Sequence, residues 1–146
     1  MINAVIAGHD DDGVTYALHV CRGNDANRYM ARGGYDMISR KVFQRCDVSL
    51  LLLEYDDERS GTFEPLADVP DDTSVVLGLI STKRPELERA GLVARINEAA
   101  KYIPLDRLAL SPQCGFASVA SGNHLGFERQ AQKLKLTAKV ARQVWG

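Results

Sequence analysis

Val14-Thr15-Tyr16-Ala17-Leu18-His19-Val20-Cys21-Arg22-Gly23-Asn24 is an apolar run that breaks into a glycine turn. Residues 14–21 read as a strand. Side chains alternate faces along a strand, so His19 and Cys21 project side by side from its end. An imidazole and a thiolate placed this way are half of a four-ligand zinc set. Taken singly, each has a plainer reading: a small buried thiol, and a histidine satisfied by backbone. The weight falls on what the other strand ends carry.

Outward from this run, apolar stretches alternate with amphipathic ones. Residues 48–54 and 75–80 are near-continuous apolar runs, the first in the manner of a strand buried on both faces. Residues 108–111 form a short fourth strand. Residues 36–45 carry Ile38, Val42 and Phe43 at helical spacing. Residues 85–103 predict a helix with Ser81 or Thr82 as its cap and Pro85 in its first turn. Its stripe is Leu87, Leu92, Val93, Ile96, Ala99, Ala100 and Ile103. Residues 127–145 predict a closing helix with Ala131, Leu134, Ala138, Ala141 and Trp145 on one face. Residues 56–72 read as loop or short helix, and Ile2, Val5 and Ile6 as a helix tail ended by Gly8.

Alternating strands and helices imply a parallel sheet with helical crossovers. Eight such units close a barrel of ~250 residues. The 146 residues here hold about four βα units. The expected fold class is α/β: a fragment of a (β/α) parallel barrel, one domain over residues 1–146, equivalent to half a barrel.

Composition excludes several partners. A net charge of −1 gives no electrostatic case for nucleic acid or an anionic membrane surface. The longest strongly apolar stretch, residues 48–53, is far too short to span a bilayer. The first residues lack the basic start and long apolar core of a signal peptide. Three cysteines with no framework spacing fit a reduced, cytoplasmic chain, where cysteine more often serves metal or catalysis.

Active sites of parallel barrels gather at the carboxyl ends of strands. There, strand one offers His19 and Cys21, strand two Glu54, and strand four Cys114. Two thiolates, an imidazole and a carboxylate are a sensible zinc set. Glu54 is the exchangeable member, able to yield its place to a substrate.

Leu18-His19-Val20-Cys21-Arg22-Gly23-Asn24, Leu53-Glu54-Tyr55-Asp56-Asp57, Arg59-Ser60-Gly61 and Leu110-Ser111-Pro112-Gln113-Cys114-Gly115-Phe116 together resemble the C-terminal catalytic barrel of cobalamin-independent methionine synthase. The likeness runs over essentially the whole chain and covers only the last four of that barrel's eight strands. It implies that His19, Cys21, Glu54 and Cys114 match the family's Zn²⁺ ligands. It implies a methyltransferase activity in which zinc holds the homocysteine thiol and methyltetrahydrofolate donates the methyl group. It places the residues that hold the homocysteine amino and carboxylate groups largely in the half not matched, so no catalytic residue is assigned here. A related zinc thiol alkyltransferase of the epoxide:coenzyme M type, or a non-catalytic zinc-binding half-barrel or truncated fragment, are the alternatives. A half-barrel exposes two sheet edges, so a homodimer or a separate N-terminal half is the expected partner.

Three residues are further candidates for substrate contact. Asn24 shapes the loop beside the metal set, Asp56 could face a substrate ammonium, and Ser81 stands before a helix N-terminus suited to a carboxylate. Each has a structural alternative: loop shaping for Asn24, a solvated loop for Asp56 and a cap for Ser81. Gly33-Gly34-Tyr35-Asp36 reads as a structural turn, His9 and His124 as surface residues, and Cys46 as structural at the wrong strand end.

Overall fold

The computed structural model describes all residues except 10–12, 26, 88–90, 118 and 121. Four strands form one sheet: β1 (Ala17–Val20), β2 (Leu50–Glu54), β3 (Ser74–Ile80) and β4 (Leu108–Pro112). They pair in sequence order, all parallel. The helices are α1 (Ile2–Ile6), α2 (Ser39–Val42), α3 (Leu92–Ala99) and α4 (Phe127–Trp145). The β2–β3 connection holds two 3₁₀ turns, Glu58–Ser60 and Glu64–Asp68, in agreement with a segment lacking helical periodicity. This is the expected α/β architecture, an open four-stranded part of a parallel barrel.

The two faces of the sheet differ. Leu51, Leu53, Val75, Leu77 and Leu79 are fully or almost fully buried and form the core with Leu92, Ile96, Leu136 and Val140 of the helices. On the opposite face, His19, Leu52, Val76 and Ala109 share one register row. There Leu50, Leu52 and Val76 are only half-buried and Ala109 is exposed. Residues 48–54 were expected to be buried on both faces. The second face is the concave inner wall, which four strands do not close.

Two helices depart from their sequence pattern. Over 85–103 the regular helix is only Leu92–Ala99, and residues 88–90 lie outside the described residues. Its N-cap is Gly91 at φ +86°, with no side-chain cap. The Ser81 hydroxyl accepts instead from the Lys83 N–H, closing a local turn. At the other end Pro104 disfavours helix in the residue before it. The last helix has the expected bounds but a different buried face: Lys133, Leu136 and Val140 are buried, whereas Leu134 is exposed. Lys133 can point inward because its Nζ donates to the Glu86 carbonyl at 2.6 Å. A hydropathy pattern excludes lysine from a core stripe, and that places the stripe on the wrong side. Residues 36–45 are regular helix only at Ser39–Val42, flanked by turns.

Candidate metal centre

At the carboxyl ends of the strands, one potential ligand atom from each of His19, Cys21, Glu54 and Cys114 lies within 4.8 Å of the other three. The sequence expectation of convergence holds in the structure. His19 is in β1, Cys21 follows its last residue, Glu54 ends β2, and Cys114 lies two residues past β4. Cys21 Sγ and Cys114 Sγ are 3.8 Å apart. That is far beyond a disulfide bond and is about the edge of a tetrahedron with metal–sulfur bonds of ~2.3 Å. His19 Nε2 is 3.8 Å from Glu54 Oε1.

The surroundings orient these donors. His19 Nδ1 is 3.2 Å from the Leu52 carbonyl, and a proton on Nδ1 leaves Nε2 with a free lone pair on the Glu54 side. The Gly23 N–H donates to Cys21 Sγ at 3.3 Å, which fixes the direction of the sulfur. Glu54 is 2% exposed, and its Oε1 is buried without a hydrogen-bond partner. A buried carboxylate oxygen with no donor is costly, and a cation beside it removes that cost. The donor set and this orphaned oxygen both fit a zinc ion. His19, Leu52, Pro112, Gln113 and Cys114 also line a cleft of ≈ 200 Å³ beside the set.

The three candidate substrate residues are buried around the same strand ends. Asn24 Nδ2 donates to Thr82 Oγ1 at 3.2 Å and to the Gly115 carbonyl at 2.8 Å, while its Oδ1 has no partner. The Thr82 N–H donates to Gln113 Oε1 at 2.6 Å, and Asn123 Nδ2 donates to the Thr82 carbonyl at 2.9 Å. Asn24 is thus a strut tying the loops after β1, β3 and β4. Ser81 has its hydroxyl engaged by Lys83 and is 1% exposed. Asp56 is buried with Oδ2 unpartnered. His9 and His124 are exposed, and Cys46 is half-buried four residues before β2.

Sequence reasoning missed Tyr35 and Gln113. Tyr35 is 1% exposed, and its hydroxyl meets both main-chain polar groups of Glu54. Burial pushes its pKa up to about 12, against the opposing pull of Arg22, so it remains a donor at neutral pH. No spacing in the chain pairs residue 35 with residue 54. Gln113 carried a signal in its place beside Cys114, but not in its chemistry.

The fold and donor set define a class: a parallel α/β barrel half with a candidate metal centre at its strand ends. Residues 2–143 match the family described as cobalamin-independent synthase, catalytic domain. The chain belongs to that family. It is 47% identical over 146 residues to the uncharacterized proteins YxjG and YxjH of Bacillus subtilis (strain 168), covering 99% of this chain and 38% of each relative. The chain therefore spans under two fifths of the length of these relatives. A candidate vitamin-B12-independent methionine synthase from Listeria monocytogenes superimposes with a TM-score of 0.75 at 33% identity, over 99% of this chain and 39% of that one. A B12-independent methionine synthase from Shewanella sp. W3-18-1, solved with selenomethionine, shares the fold with a TM-score of 0.72 at 19% identity, over 97% and 42%. Among the described residues, no helix is long and apolar enough to cross a membrane.

Proposed function

We propose that residues 1–146 act as one domain, the C-terminal half of a methionine-synthase-like barrel. In this reading His19, Cys21, Glu54 and Cys114 hold Zn²⁺ in a methyltransferase that passes a methyl group from methyltetrahydrofolate to homocysteine. The observation that carries it is the convergence of four donor atoms within 4.8 Å from three separate strand ends. Family membership supports the reaction class.

Zinc held there supplies Lewis acidity, which lets a substrate thiol with a free pKa of about 8.5 react as thiolate at neutral pH. The chain's own residues do the rest. Cys21, Cys114 and Glu54 offer three anionic donors, more than a divalent cation needs, so a sulfur held beside them keeps its electron density. Glu54 would be the exchangeable holder of the ion, since a carboxylate binds zinc less firmly than a thiolate. Leu52 and Pro112 give the cleft beside the site an apolar wall. The partners in this reading are homocysteine, methyltetrahydrofolate and a complementary half-barrel, either an N-terminal half or a second copy of this chain. The setting is the cytoplasm.

The test combines elemental analysis with a methylation assay, run with and without an added N-terminal half. About one zinc per chain, lost in Cys114→Ser and His19→Ala, with methionine formed in the complemented mixture, is the expected result. Zinc retained in both variants overturns the site. Zinc binding without turnover in either mixture overturns the enzyme reading in favour of a non-catalytic zinc-binding half-barrel.

A further inference from the structure

Tyr35 stands where a strand would otherwise be. The last β1–β2 pair is Val20 with Leu53, whereas β2 runs one residue further beside β3, with Glu54 opposite Gly78. The Tyr55 N–H donates to Gly78 O. In a parallel ladder neighbouring residues address opposite strands. Glu54 therefore turns its own N–H and C=O toward β1, which has already ended. Both groups are met by one atom. The Glu54 N–H donates to the Tyr35 hydroxyl at 2.8 Å, and that hydroxyl donates to the Glu54 carbonyl at 3.2 Å.

The ring behind that hydroxyl is fixed. Tyr35 lies 5.7 Å from Phe43 and 5.2 Å from Tyr55, centroid to centroid. The Arg22 guanidinium sits over its face at 4.5 Å. Arg22 directly follows Cys21, and its carbonyl accepts from the N–H groups of Met30 and Ala31. The loop that carries Cys21 out of the sheet thus folds back and delivers Tyr35 to Glu54.

We propose that Tyr35 is a positioning residue for the metal centre: its hydroxyl replaces β1 as the main-chain partner of Glu54, so that Cys21 can leave the sheet toward Cys114 while the Glu54 carboxylate stays within their reach. This rests on the metal-site reading above. Removing the hydroxyl leaves a buried N–H and C=O unpaired at the base of a ligand, and such supporting contacts typically hold 10–100-fold in metal affinity.

The experiment measures zinc affinity by chelator competition, and the visible spectrum of the Co²⁺-loaded chain, in the unaltered protein, Tyr35→Phe, Phe43→Leu, Glu54→Gln and Cys114→Ser. Tyr35→Phe should weaken zinc about 10–100-fold and move the Co²⁺ spectrum toward that of Glu54→Gln. Phe43→Leu touches the same ring cluster but not Glu54. It should lower stability and leave affinity and spectrum unchanged. Tyr35→Phe with unaltered affinity and spectrum, while Glu54→Gln changes both, overturns the positioning role and leaves the site standing. Unaltered binding in Glu54→Gln together with Cys114→Ser overturns the site itself. Should Tyr35→Phe fail to fold, amide exchange in the unaltered chain decides. Zinc should deepen protection at the Glu54 N–H, and zinc binding without that change overturns the inference.

Discussion

Cys21 Sγ and Cys114 Sγ stand 3.8 Å apart although 93 positions separate them in sequence. Cys21 is exposed and Cys114 is half-buried, so reagent can reach the pair. Zinc should therefore protect both thiols from alkylation, since a ligating thiolate is not free to attack. Cys46 lies at the opposite end of β2 and should react at the same rate with and without zinc. Mass spectrometry of digests after a short iodoacetamide pulse reads all three. Equal labelling of Cys21 and Cys114 in both states would remove them from the metal set.

Glu54 makes a prediction of opposite sign for folding and for binding. Its Oε1 is buried without a donor, so in metal-free protein this oxygen works against the fold. Glu54→Met, which removes the unpartnered oxygen, should raise the stability of the metal-free chain by about 1–3 kcal/mol, the usual cost of an unsatisfied buried polar group. The same change should weaken zinc at least ~10-fold. Thermal melts with chelator and with zinc test both. The unaltered protein gains more Tm from zinc than the variant does, because added ligand stabilises according to its affinity. A variant less stable than the parent in chelator would show that Glu54 serves the fold rather than the metal.

Gly78 is the place where strand geometry and site meet. It pairs with Glu54 on one side and Ser111 on the other, at a register shift toward Pro112. A Cβ there would lie 2.6 Å from Gln113 Cα and 2.8 Å from the Leu53 carbonyl, both main-chain positions that cannot swing aside. Gly78→Ala should cost about 1–3 kcal/mol or more of stability, as overpacking in a core does. It should also displace Gln113 and with it the adjacent Cys114, lowering zinc affinity. Urea denaturation and chelator competition together check this. Gly91→Ala has nothing within 4 Å of the new Cβ and should strain only its own positive φ. Comparable loss of zinc affinity in the two variants would refute the steric argument.

What was legible in the sequence follows from the range of each interaction. The strands were legible because parallel strands carry dense apolar runs, as in residues 50–54 and 74–80. Their ends were legible as a site because parallel topology brings carboxyl ends together whatever their separation. Long-range pairings left no trace. Nothing local marks Tyr35 as the partner of Glu54, or Lys133 as the partner of the Glu86 carbonyl. In sequence, Asn24 points toward substrate because a polar residue beside a metal set suggests it. Its amide donors are committed to Thr82 and Gly115, contacts visible only in three dimensions.

Asp57 gives the acid-side prediction. It accepts from the backbone N–H and side chain of Arg59 and from Arg84 Nη2 at 2.9 Å, tying the loop after β2 to the loop after β3. Arg59 in turn lies over the Tyr29 ring, and its carbonyl accepts from the Gly33 N–H, so the clamp extends to the loop after β1. Burial alone would raise the Asp57 pKa. The hydrogen bonds and charge of Arg59, with Arg84 behind them, outweigh it and hold the carboxyl below its ordinary value of 3.8. A depressed folded-state pKa means the clamp contributes fully above the unfolded pKa and fades as pH falls through the lower folded value. Asp57→Asn should therefore cost about 1–2 kcal/mol at pH 7, the half-exposed Arg84 arm adding little. The difference from the parent should close as pH drops below about 4. Urea midpoints for both proteins at pH 7, 5, 4 and 3 give the curve. A gap that stays constant down to pH 3 would show that Asp57 contributes through packing and not through its charge.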